Sequence, residues 1–117
     1  MGLKVKFKEP KMGRAAELRT FLGFGEIRIG KRAPKARHHQ LIVHEKRHWQ
    51  QYKRTYWFHP LLYKFSKKYR QAAEVEAYKA EMLAADSEMF IYDAARWLAR
   101  DYNLGITQAE AKVLLES

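Results

Sequence analysis

With 117 residues, 47% hydrophobic and 31% charged, the chain has the size and composition of one globular domain (1–117) with a single modest core. It holds no apolar run near the ~20 residues of a membrane-spanning helix and no signal-peptide core, and its lack of cysteine excludes disulfides and thiolate ligands, leaving His, Asp and Glu for any metal. The net charge of +10 is uneven, with eleven basic against three acidic residues in 1–37, eight against one in 38–70 and four against nine in 71–117, which points to an acidic partner for the first two thirds: nucleic acid, an anionic membrane surface or an acidic protein.

Leu3, Val5 and Phe7 alternate with Lys4, Lys6 and Lys8, a period of two that predicts a strand with one apolar and one basic face. Lysines so placed also guard an exposed sheet edge. Pro10 and Gly13 break the pattern. Between Arg14 and Leu22 two readings stay open: Ala15-Ala16-Glu17-Leu18 suits a short helix, while Leu18, Thr20 and Leu22 alternate as in a strand. Gly23-Phe24-Gly25 followed by Glu26-Ile27-Arg28-Ile29-Gly30 favours a hairpin turn and a strand with Ile27 and Ile29 on one face. The expectation for 1–37 is a basic, β-rich part built on a small antiparallel sheet of two or three strands.

A basic loop interrupted by Pro34 leads to a long helix, expected from His38 or His39 to about Phe58, with His38-His39 as its first turn rather than a second metal site. His59-Pro60 marks a break, because the residue before proline is pushed out of the helical region. A second helix can start at Pro60 and cover Leu61, Leu62, Tyr63 and Phe65. A third is expected from about Tyr69 to Ala84. Asp86 or Ser87 can cap the next, which places Met89, Phe90, Ala94, Trp97 and Leu98 on one stripe and ends at Gly105. Thr107-Gln108-Ala109-Glu110 is a capping box for a terminal helix. The fold class is therefore α+β, a small antiparallel sheet followed by a helical bundle in 38–85 and 86–117. Trp49, Tyr52, Tyr56, Trp57 and Phe58 have the chemistry of a base-stacking platform, but large aromatics in a small domain are read as core, and so are Trp97 and Tyr102.

The chemistry concentrates in His44-Glu45-Lys46-Arg47-His48. Residues four apart share a helix face, so the two imidazoles can aim at one point. Zinc accepts neutral imidazole nitrogen, and an open zinc site takes three protein ligands and a water. Glu45 sits where its carboxylate can take a proton from that water. Glu74-Val75-Glu76-Ala77-Tyr78 offers two candidates for the third ligand; Glu74 and Glu76 lie about 200° apart on a helix, so only one can face the site. Glu74 shares its face with Ala77, Tyr78 and Glu81, and small Ala73 and Ala77 would let this helix pack closely on the first.

His44-Glu45-x-x-His48 followed by Glu74-x-x-Ala77 resembles the gluzincin branch of the zincin metallopeptidases. With Gln51 and the downstream E-x-E-A-Y it is similar to the short HExxHxxQ domains of bacteria and their phages, the likeness spanning roughly residues 16–85. The resemblance implies a zincin-like fold whose sheet leads into the HExxH helix, Zn2+ held by His44, His48 and Glu74 with Glu76 as backup, and Glu45 as general base in hydrolysis of a peptide or protein substrate. It does not identify the oxyanion donor, for which His59, Tyr63, Tyr69 and Tyr78 have suitable chemistry. Two positions depart from the pattern. Tyr78 stands where many gluzincins carry an aspartate that orients a histidine ligand. Lys46 and Arg47 stand where relatives carry apolar or small residues, which implies a less buried helix, a covering partner or lost activity. Two other readings follow: a zincin-fold structural or assembly component of a phage particle, and a basic nucleic-acid-binding module. The expected location is the cytoplasm or a phage virion.

Overall fold

The structure, a computed structural model, describes residues 2–10, 15–21, 24–31, 33–55, 58–85 and 90–117. Strands β1 (Leu3–Lys6), β2 (Ala16–Phe21) and β3 (Phe24–Ile29) lead through a short 3-10 turn at Lys35–Arg37 into five helices. These are α1 (His38–Arg54), α2 (His59–Phe65), α3 (Lys67–Ala85), α4 (Phe90–Asp101) and α5 (Gln108–Glu116). The fold is α+β, as its patterning predicts.

The strand order is β1-β3-β2. β2 and β3 pair antiparallel, with Phe21 opposite Phe24, but β1 joins β3 in parallel, so the sheet is mixed rather than wholly antiparallel. Alternation along β1 reads the same in either direction, so it carried no signal of this. The ambiguous stretch after Arg14 is a strand because Leu18 and Ala16 lie opposite Ile27 and Ile29, which are the fully buried centre of the sheet face. That face closes against α1 through Ala33, Leu41 and Ile42. β1 is an edge whose apolar face is only partly used: Val5 is 39% and Phe7 71% exposed.

Gly25, expected in the hairpin turn, is instead a residue of β3, as is Phe24. Gly13 and Gly23 lie outside the described residues. Gly25 is small because Trp49 of α1 lies flat against it: a Cβ there would sit 2.6 Å from the indole carbons. Trp49 in turn stacks on Tyr52 at 5.4 Å between ring centroids, both buried as expected of core aromatics.

α1 starts at His38 and buries Leu41, His44, Glu45, His48, Trp49 and Tyr52, an i, i+3, i+4 stripe whose middle is polar. It ends at Arg54, short of Phe58, where the Gln51 carbonyl accepts from both the backbone N–H of Thr55 at 3.1 Å and its hydroxyl at 2.9 Å. Tyr56 and Trp57 lie outside the described residues. Phe58 is not core; it is solvent-facing. α3 lies along α1 with Ala73, Ala77 and Ala80 buried between them. The C-terminal core joins Tyr78 to Phe90, Ala94, Leu98, Leu104, Ala111 and Leu115, with Trp97 and Tyr102 packed half-buried against it. Asp86, Ser87 and Met89 are outside the described residues. α4 ends at Asp101, ahead of the expected stop, and the chain turns through Asn103 (φ 52°) and Gly105 (φ 70°). Arg70 anchors that turn by donating to the carbonyls of Tyr102 and Tyr63, 2.8 Å each. The Thr107–Glu110 capping box forms in full. No helix among the described residues is long and apolar enough to cross a membrane.

Candidate metal centre

The polar middle of the α1 stripe faces the polar middle of the α3 stripe. His44 and His48 stack on one side, and Glu74 meets them from the other because Ala73 and Ala77 flank it and let the helices close. His44 Nε2 lies 3.2 Å from Glu74 Oε1 and His48 Nε2 lies 3.1 Å from Glu74 Oε2. One donor atom from each of the three residues falls within 4.8 Å of the others, and all three side chains are buried.

The remaining nitrogens fix the tautomers. His44 Nδ1–H donates to Glu81 Oε1 at 2.9 Å, and a carboxylate can only accept. His48 Nδ1 meets Gln51 Oε1 at 2.8 Å. The Gln51 amide cannot be turned round, because its NH2 donates to the Ala73 carbonyl at 3.0 Å and to Glu76 at 3.2 Å. His48 Nδ1 must therefore donate as well. Both Nε2 atoms so held face the same point, where each meets Glu74, and displacement of the Nε2 proton by a metal would turn each into a lone-pair donor there.

This donor set fits zinc. Bonds of ~2.0–2.1 Å at tetrahedral angles place neighbouring ligand atoms ~3.3 Å apart. The imidazole nitrogens lie 3.2 and 3.1 Å from the two different oxygens of Glu74, so one ion could take both nitrogens and one of those oxygens with small side-chain shifts. Zinc held by these three residues would keep a fourth position for water, and all three line a cleft of about 1100 Å3 bounded by β2, α1, α2, α3 and α4.

Electrostatics reflect the burial. Burial works against charge on His44, yet hydrogen bonds to Glu74 and Glu81 outweigh it and push its pKa up to about 10. Burial opposes charge on His48 too, and the Glu74 carboxylate overcomes it and raises its pKa. Burial likewise opposes ionised Glu74, but the charge of His48 and the two imidazole hydrogen bonds hold its carboxyl far below the usual range. Glu45 differs: its Oε2 stands 3.9 Å from His44 Nε2 and burial raises its pKa. A carboxyl so raised is matched to taking and returning a proton.

Each expected site residue can now be placed. Glu76 is not in the cluster; Arg54 and Gln51 hold it at 2.9 and 3.2 Å on the rim. Tyr63 donates its hydroxyl to Glu74 Oε2 at 2.5 Å. His59 lines the cleft, shares a 2.7 Å hydrogen bond with the Tyr69 hydroxyl, and is pushed down to about 4 by burial and by neighbouring His48. Tyr69 is not a wall of the cleft. Tyr78 packs its ring edge on His44 at 4.5 Å and pairs its hydroxyl with Tyr102 at 2.7 Å. Lys46 is exposed and Arg47 half-buried, and neither lines the cleft.

The functional residue that sequence reasoning missed is Glu81, which fills the orienting position left open by Tyr78. Its signal was present, since it shares a face with Glu74. Arg37 steadies it, 3.6 Å from its second oxygen. No family model, curated protein or solved structure matches the chain, so the meaning of the centre rests on its own geometry.

Proposed function

We propose that the chain is a zinc-dependent peptidase of gluzincin type, with His44, His48 and Glu74 as metal ligands and Glu45 as the proton carrier. The observation that carries this reading is the fixed tautomer of both histidines. Each Nδ1–H is consumed by Glu81 or Gln51, and both Nε2 atoms meet Glu74 beside an otherwise costly buried glutamate.

Zinc bound there supplies Lewis acidity, polarising a carbonyl and acidifying water to near neutrality. Glu45 takes up a proton at its carboxylate and returns it to a departing amine. His59 and Tyr63 line the cleft. The Tyr63 hydroxyl is committed to Glu74 Oε2, so neutral His59 is the donor assigned to the developing oxyanion. Tyr78 and Tyr69 commit their hydroxyls to Tyr102 and His59.

Protein purified without a metal-charged column should carry about one zinc per chain, or gain it on addition. Absence of binding overturns the reading. Glu45→Gln should keep the metal and lose roughly 10²–10⁴ in hydrolysis of a peptide library. The alternative of an inactive particle component rests on the small size of the chain, on Lys46 and Arg47 and on the likeness to phage domains; neither charged residue lines the cleft, and turnover in the same assay separates the two readings.

A further inference from the structure

Of the basic side chains in the first two thirds of the chain, only Arg37 lines the cleft among the described residues, and Phe58 does not line it either. Phe58 stands with Lys64, Lys67 and Lys68 on or beside α2. One side of this helix gives His59 and Tyr63 to the cleft. The other carries Leu61, Leu62 and Phe65, which are 57%, 39% and 76% exposed, and Phe58 just ahead of the helix is 61% exposed. These four side chains frame a shallow apolar depression of about 590 Å3. Four large apolar side chains gathered on one short turn of surface form a patch of the kind that marks an interaction site.

The surroundings are of one sign. Residues 46–73 contain eight Lys and Arg and no Asp or Glu. Lys64, Lys67 and Lys68 are exposed, and none pairs with a carboxylate among the described residues. Lys64 Nζ stands over the Phe65 ring, 5.4 Å from its centroid, so a cation and an exposed aromatic face meet on this surface.

We propose that α2 is a peripheral anchor for an anionic lipid bilayer, with Phe58, Leu61, Leu62 and Phe65 entering the headgroup region and Lys64, Lys67 and Lys68 meeting the lipid phosphates. The charge complementarity selects an anionic surface, and the aliphatic half of the crest selects lipid over nucleic acid. Leucines gain nothing from base stacking, whereas a bilayer interface removes them from water. Binding of this kind needs no spanning helix. Because His59 and Tyr63 belong to the same helix, docking holds the mouth of the cleft at the membrane surface. The inference stands whether or not the centre is catalytic.

Cosedimentation of the full chain tests it, using phosphatidylcholine vesicles with and without about one third phosphatidylglycerol. The chain should bind the anionic vesicles, bind the neutral ones weakly, and release as salt rises. Changing Lys64, Lys67 and Lys68 to Gln should weaken partitioning about five-fold per charge. The pair Leu61→Ser and Phe65→Ser should weaken it about ten-fold per side chain, with circular dichroism and zinc content unchanged. The proposal is overturned by no binding to anionic vesicles, by equal binding to neutral ones, or by a serine pair that binds as well as the parent, which would make the face a general polyanion site. It is also overturned if sedimentation shows a dimer that the serine pair dissolves, because a second copy then covers the crest.

Discussion

Glu81 accepts the Nδ1 proton of His44 at 2.9 Å, two helical turns beyond Glu74 on the same face of α3. On the proposed reading, one helix would therefore supply both a metal ligand and the group that aims another ligand. Glu81→Ala should lower zinc affinity about 10–100-fold without abolishing it, and Glu81→Gln, which can still accept from Nδ1, should lose less. Glu74→Ala should lose far more than either. Competition against a chelator of known affinity reads all three; equal losses at Glu74 and Glu81 would contradict the division of labour.

Gly25→Ala should be destabilising although alanine is small. Its Cβ would stand 2.6 Å from the Trp49 ring, which is locked against Tyr52. Overpacking of this kind costs about 1–3 kcal/mol. Urea unfolding followed by tryptophan emission measures it, and Trp49→Leu in the same chain should recover part of the loss.

Lys46→Ala and Arg47→Ala should leave zinc affinity within about two-fold of the parent, since neither residue falls on the buried stripe of α1. Glu76→Ala should act more strongly than either, because it removes one of the two acceptors that hold the Gln51 amide against His48 and leaves only the Ala73 carbonyl. A larger effect at Arg47 than at Glu76 would mean that the charged pair does bear on the centre.

Removing metal should lower stability through linkage. With free zinc about a thousand-fold above its dissociation constant, the bound form gains about 4 kcal/mol. Thermal melts with and without a chelator should then differ by roughly 10 °C or more, and readdition of zinc should restore the transition. Coincident melts would exclude tight binding by the folded chain.

Much of this arrangement was legible in the residues. The α1 stripe announces itself through His44, His48 and Trp49, and Glu74 stands out from Glu76 once Ala77 is seen to share its face. What the pattern could not carry was orientation between elements. The stretch Ala15-Ala16-Glu17-Leu18 has local preference for either state, and only pairing with Ile27 and Ile29 decides it. β1 alternates identically whether parallel or antiparallel. Glu81 was on the right face, but whether it reaches His44 depends on how far α3 is rotated against α1. Phe58 shows the converse limit: an aromatic residue looks the same in sequence whether it fills a core or a surface crest.

The three candidate ligands among the described residues come from α1 and α3, with α2 looped out between those helices. An ion gripped by His48 and Glu74 would thus fasten two points of the chain and shut the intervening segment into a ring. On the chain-entropy view, closing a loop of that length restricts the unfolded ensemble by about 3–4 kcal/mol, as a disulfide would. In a protein without cysteine, such coordination would take the place of a covalent staple, and one that a change in metal supply could open.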